Sequence, residues 1–342
     1  MGKSIFEFAD KFGYDSPLQE NWAEVAFENT QNVLKITRIE GPFKENGQIA
    51  KFVNRFEKYY YLISTNTQIS NENIYQINWA VSYDDKIETF NLFSGGKIEK
   101  NKVKVSINIS EGIDKYKIYA YTGNRITNNI FIEALYKKTV VFFIGGAGDK
   151  REYLGNMPTN IVRRNVEIPF STLAPKKDYT SVYLGYYEVY GDDRIKLNVL
   201  SKIKNKEGTE IYIVGHSLGG WNGAHLYTKL QSKGYNVKVL ITLDPVGKGL
   251  LVNLFSDIYD NAPNPNGSFW FNTYTDPITY ALDDLIADLG VQWVPDGNQP
   301  LVNIINPYHH GEAGSMFKQI VYMKSSMSDM LLVHINKYLQ EQ

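Results

Sequence analysis

The chain has 342 residues, which at about 150 residues per domain predicts two domains and ample room for a buried core. It is 43% hydrophobic and 21% charged, with 25 Tyr and 17 Phe, which excludes a disordered chain; no apolar run nears the ~18 residues of a membrane span. A formal charge of -1, balanced along the chain with no basic stripe, excludes a nucleic-acid binder, and the lack of cysteine excludes disulfides, thiol catalysis and cysteine-ligated zinc.

Met1-Gly2-Lys3-Ser4-Ile5-Phe6 lacks the apolar segment and cleavage site of a signal peptide, and Phe6 stands where a myristoylation signal has Ser or Thr. The expectation is a chain made in the cytoplasm without a signal peptide. Residues 1–32 read as a polar, partly helical lead-in. From 33 to 125 the apolar pattern has period two, as in Lys102-Val103-Lys104-Val105-Ser106-Ile107-Asn108-Ile109, with turn signals such as Gly41-Pro42, Asp84-Asp85 and Gly95-Gly96 between runs. Strands are expected at 58–63, 74–81, 102–109 and 116–121. They predict a small all-β, immunoglobulin-like sandwich without histidine, read as an accessory or docking domain.

Over 126–342 the texture changes to strand-like runs alternating with helical segments, which predicts an α/β domain with a mostly parallel central sheet. The strands are expected at 139–144, 183–189, 210–214, 238–243, 269–274 and 301–305, and helices near 193–204, 218–232, 279–289 and 326–340.

Gly215-His216-Ser217-Leu218-Gly219-Gly220 falls between the buried run Ile211-Tyr212-Ile213-Val214 and a helical pattern ending before Gly234. A strand-to-helix turn this tight strains the backbone at the serine, so the residues two to either side must lack bulk, and Gly215 and Gly219 meet that need. Ser217 is therefore the expected nucleophile. Its hydroxyl needs a base, and the chain has five histidines. His216 is expected to point away from the serine, His225 to pack or face solvent mid-helix, and His334 to be structural. His309 and His310 remain, in a loop after the last strand, where an α/β hydrolase carries its base. His310 is preferred because Gly311 frees the backbone to aim its ring; His309 is second. The acid should lie between serine and histidine at a strand end, and both Asp244 and Asp276 fit, each before a proline. For the oxyanion, Leu218 offers one backbone N–H and Gly146, in Ile144-Gly145-Gly146-Ala147-Gly148, the second, with Ala147 next in line. Asp283, Asp284, Asp288 and the Asp296-Gly297-Asn298 turn read as a solvated acidic face, so no metal is expected, and no cofactor.

Gly-His-Ser-Leu-Gly-Gly resembles the nucleophile elbow of bacterial and fungal lipases. Leu243-Asp244-Pro245 resembles the segment carrying the triad acid in pancreatic-type lipases, which places Asp244 before Asp276. Together with Phe143-Ile144-Gly145-Gly146-Ala147-Gly148-Asp149, Thr242-Leu243-Asp244-Pro245-Val246, Ile286-Ala287-Asp288-Leu289-Gly290 and His309-His310-Gly311, the ensemble over 139–315 is similar to the lipase effectors of type VI secretion systems. Residues 33–125 resemble β-sandwich modules attached to such effectors. The resemblance implies an α/β-hydrolase fold and a serine lipase or phospholipase acting on membrane phospholipid or another lipid ester. It also implies antibacterial export into a target cell, a secretion-tube component as partner and a cognate immunity protein. Residues 249–255 fit either an apolar lid or a buried helix. The rival readings are a soluble-ester esterase, thioesterase or peptidase and, in another class, a catalytically silent hydrolase fold used for binding.

Overall fold

The computed structural model describes residues 33–85, 90–109, 111–123, 130–153, 155, 157–295 and 300–340. The expected lead-in over 1–32 and the Asp296-Gly297-Asn298 turn lie outside them. The chain divides into two compact units: one ends at Ala134, and the other comprises Leu135–Gln342 together with Phe52–Asn54. The change of unit therefore falls later than the change of texture at Arg125, because period-two residues continue through Phe131–Tyr136.

The strands of this first stretch are β1 (Ile36–Phe43), β2 (Phe52–Val53), β3 (Lys58–Thr65), β4 (Ile77–Tyr83), β5 (Phe90–Ser94), β6 (Lys97–Glu99), β7 (Lys102–Asn108), β8 (Lys115–Thr122) and β9 (Phe131–Tyr136). β1, β3, β7 and β6 form one antiparallel sheet, and β4 pairs antiparallel with β5 and β8 in another. Alternate residues are buried, as the period-two pattern requires: Tyr59, Tyr61 and Ile63 on β3, Val103, Val105 and Ile107 on β7, Tyr116, Ile118 and Ala120 on β8. The hydroxyls of Tyr61 and Tyr116 meet at 2.7 Å, which satisfies two polar groups inside an apolar core. Residues 74–76 of the strand expected at 74–81 form a 3₁₀ turn instead.

The second unit is built on a six-stranded parallel sheet of β10 (Lys138–Gly145), β11 (Tyr179–Gly185), β12 (Thr209–His216), β13 (Asn236–Leu243), β14 (Trp270–Thr275) and β15 (Val302–Asn306). Its order is β11-β10-β12-β13-β14-β15. Both faces are covered, which is why these strands read as apolar runs without alternation. Val140, Phe142 and Ile144 of β10 join one core, and Val141 and Phe143 the other. The helices are α1 (Ile168–Leu173), α2 (Asp192–Asn198), α3 (Leu218–Ser232), α4 (Leu250–Phe255), α5 (Leu282–Gly290), α6 (Ala313–Lys318) and α7 (Met327–Gln340), with a short hairpin of β16 (Ile320–Tyr322) and β17 (Ser325–Ser326).

α3 buries Trp221, Leu226, Tyr227 and Leu230 against the first core, each contributing roughly 1.5–3 kcal/mol relative to exposure. It ends in a Schellman arrangement, in which Gly234 N–H donates to Gln231 O at 2.8 Å and Tyr235 N–H to Leu230 O at 3.0 Å. The strand expected at 183–189 ends at Gly185. Tyr186–Val189 forms a 3₁₀ turn, held by the Gly185 N–H donating to the Glu188 carboxylate at 2.8 Å. Helix α6 and the helical turns of Arg163–Glu167 and α1 were not signalled by the periodicity.

Candidate active site

From β10 the chain passes to β11 on one side, and all later strands are added on the other. The connections at the carboxyl ends of β10 and β12 therefore part, and a crevice opens there, the general location of ligands in open parallel sheets. The Gly145–Asp149 stretch leaves β10 at this point, Ser217 follows β12, Asp244 follows β13, Thr275 ends β14, and the His309-His310 loop follows β15.

Ser217 has φ 58° and ψ −131°, a conformation costing on the order of 1–3 kcal/mol for a residue with a side chain. Its neighbours impose it. The Ser217 N–H donates to Leu243 O at 3.1 Å, and its carbonyl accepts from Val246 N–H at 3.3 Å. A Cβ on Gly219 would lie 2.2 Å from Ile144 O, so only glycine lets α3 start this close to β10. As the first residue of α3, Leu218 presents an N–H without an intrahelical acceptor. A Cβ on Gly146 would lie 2.5 Å from Ser217 Cβ and 2.8 Å from its Oγ. The loop backbone thus passes directly over the serine oxygen, and the two segments expected to supply oxyanion donors stand beside the same atom.

Asp244 is fully buried, with φ 45°. One carboxylate oxygen accepts from the Thr275 N–H at 3.0 Å and from the Gln292 amide; the other accepts from Thr275 Oγ1 at 2.8 Å and from His310 Nδ1 at 2.5 Å. Burial pushes the Asp244 carboxyl up, but the hydrogen bond and charge of His310, with the Thr275 bonds, outweigh it and hold the group ionised below its ordinary range. With Nδ1–H committed to Asp244, His310 keeps Nε2 for proton exchange. Asp276 is exposed, and its backbone N–H donates to Asn306 O at 2.8 Å. His309 donates from Nδ1 to Asp284 at 2.8 Å. Of the paired alternatives, the fold brings His310 to Asp244 and keeps His309 and Asp276 apart from that pair.

The His216 side chain is turned to the His310 loop. The His216 ring lies 4.7 Å from that of His310, and its Nε2–H donates to the His310 carbonyl at 2.7 Å. Burial, then the adjacent His310, hold its pKa down at about 3, so it is a neutral prop. His225 donates to Asn261 O at 2.8 Å from mid-helix. His334 packs edge-on against Phe269 at 4.5 Å, at the opposite end of the sheet.

Ser217 and His310 line a cavity of about 410 Å³, walled by Tyr153, Met157, Ile161, Leu282 and the 147–149 loop. Asp149, 2% exposed, anchors this loop: its carboxylate accepts from Val162 N–H at 3.2 Å and Tyr183 OH at 3.0 Å, and burial raises its pKa against those bonds. Asp283, Asp284 and His309 bring possible metal-ligand atoms within 4.8 Å of one another. The two carboxylates already accept from the N–H groups of Ala281, His310 and Gly311. Sequence reasoning missed Thr275, Gln292 and the role of His216, and the solvated acidic face expected at Asp284 is corrected, since that residue is 3% exposed and bonded to the His309-His310 loop; the partners of all four are tens of residues away and no local pattern marks them. No protein-family model matches the chain, and no curated protein does.

Proposed function

We propose that the second unit is an α/β-hydrolase domain acting as a serine lipase or phospholipase on carboxylic esters of lipids. The observation that carries this reading is the His310 Nδ1–Asp244 pair at 2.5 Å, seated at the cavity that Ser217 also lines, under the Gly146 loop. His310 Nε2 takes the hydroxyl proton as Ser217 Oγ bonds to the acyl carbon. The N–H groups of Leu218 and Gly146 receive the charge on the former carbonyl oxygen. Collapse of the tetrahedral adduct expels the alcohol, which leaves with the proton from His310. Water, activated by the same imidazole, then releases the fatty acid and restores Ser217.

Support for a lipid ester comes from the rim. Leu282 both lines the cavity and stands exposed, and Leu285 and Leu289 continue its face of α5, with Ile278 and Tyr280 exposed just before the helix. An apolar ridge beside a reactive cavity suits an aggregated apolar substrate. On α4, Val252 is buried while Leu254 and Phe255 are exposed, so this helix has both a core contact and an outward apolar end. The resemblance to type VI lipase effectors extends the proposal to an antibacterial role, with the all-β unit as accessory module.

The test is fatty-acid release from bacterial phospholipid vesicles by the wild type and by Ser217→Ala. Release that disappears in the variant is expected. Cleavage of short soluble esters through Ser217 without vesicle lipolysis would replace the lipid assignment by a soluble-ester esterase. Failure of Ser217 to react with a fluorophosphonate would leave a silent binding fold.

A further inference from the structure

His309 and His310 each donate Nδ1–H to a carboxylate, but the two carboxylates sit differently. Of the His309-His310 pair, Asp244 bonds the ring of His310. Asp284, in the first turn of α5 and 3% exposed, accepts from the His310 backbone N–H at 2.8 Å through one oxygen, and from His309 Nδ1 and Ala281 N–H, both at 2.8 Å, through the other. We propose that Asp284 is a positioning residue for the base, fixing the backbone from which the His310 ring is aimed. The proposal rests on His310 being the base of the reaction above.

The loop has no ladder to hold it once β15 has ended, so the N–H groups of Tyr308, His309, His310 and Gly311 depend on side chains, while the His309 carbonyl accepts from Glu312 N–H at 2.9 Å. The His309 N–H donates to Glu312 at 2.9 Å, the His310 N–H to Asp284, and the Gly311 N–H to Asp283 at 2.6 Å; the His310 carbonyl accepts from His216 at 2.7 Å. A Cβ on Gly311 would lie 2.6 Å from the same Asp283 oxygen. Gly311 thus leaves room for this close approach, and its φ is not left-handed. Capping α5 requires only the Ala281 bond. The other oxygen of Asp284 is turned to the base, and a buried carboxylate bonding an N–H is among the stiffer ways to hold a backbone. A displacement of about 1 Å at a catalytic group is enough to cost ~10²-fold in rate.

The experiment measures kcat and KM of the full chain on p-nitrophenyl butyrate for Asp284→Ala, Asp284→Asn, His309→Ala and His310→Ala, with thermal unfolding in parallel. Asp284→Ala is expected to lower kcat by ~10²-fold with KM within about twofold, because binding does not depend on the aim of the base. Asp284→Asn, keeping one acceptor, should lose only about tenfold, and His309→Ala should stay within about threefold, since it leaves the bond to His310 N–H in place. A folded Asp284→Ala or, if that variant does not fold, a folded Asp284→Asn with wild-type kcat overturns the proposal. An equal loss in His309→Ala does so as well, by assigning the effect to the His309 ring. If His310→Ala keeps full activity, the base assignment itself fails and takes the proposal with it. If His310→Ala is inactive while Asp284→Ala is not, only the positioning role falls.

Discussion

The two ends of the parallel sheet carry similar side chains to opposite effect. At the amino end, Glu210, Lys238, Phe269, His334, Lys337 and Tyr338 surround a cavity of about 120 Å³. His334 rests on Phe269 there; burial first, then Lys238 and Lys337, hold its pKa below the ordinary value. At the carboxyl end, Asp244 and His310 share a hydrogen bond, and the backbone takes positive φ at Ser217 and Asp244. A histidine among charged residues becomes a candidate base only where strands end in tight connections that aim several groups at one point. Fold topology, not composition, separates the two ends.

The comparison breaks most sharply on the histidines themselves. His310→Ala is expected to lower ester hydrolysis by ~10⁴-fold or more, read as kcat/KM, because the hydroxyl loses its base. Gly146→Ala comes next. Its Cβ would press on Ser217, so the loop must withdraw, and loss of one oxyanion donor costs about 10²–10³-fold in kcat. Gln292→Ala removes the amide that donates to Asp244; a hydrogen bond to a charged group is worth about 1.5 kcal/mol, or about tenfold in kcat.

Smaller effects are expected in stability. His216 and His225 are kept neutral mainly by burial, at about 3 and about 4. The unfolded chain protonates both near pH ~6.5, so between that value and 4 it binds more protons than the folded chain, and stability falls as pH falls. Thermal unfolding at pH 7 and pH 5 should show this drop, and His225→Gln should shrink it. Smallest of all, His334→Ala should leave kcat unchanged and cost about 0.5–1.5 kcal/mol through the lost aromatic contact. A loss of activity from His334→Ala would erase the distinction between the two ends.

Much of the sheet was legible because a strand buried on both faces leaves an apolar run, and α3 because its apolar spacing stops at Gly234. The 3₁₀ turn at Tyr186–Val189 was not, since Tyr-Tyr-Glu-Val suits a strand equally well and Glu188 turns it by bonding Gly185. Of the two adjacent histidines, His310 stands beside Asp244 and His309 beside Asp284, and Gly311 leaves room there for the Asp283 carboxylate.

What the sequence determined by itself was local. Glycines around Ser217 specify a turn, and alternating or continuous apolar runs specify which unit is antiparallel and which is parallel. Only the tertiary structure gives Asp244 and Asp276 different surroundings. Both end strands before a proline, but Asp244 follows β13, where its φ of 45° and the bonds from Thr275 and Gln292 aim it at His310, while Asp276 faces solvent. The same holds for Asp284 and His216. Their partners lie 26 and 94 residues away in the chain, and a contact at that distance is set by the order of the strands.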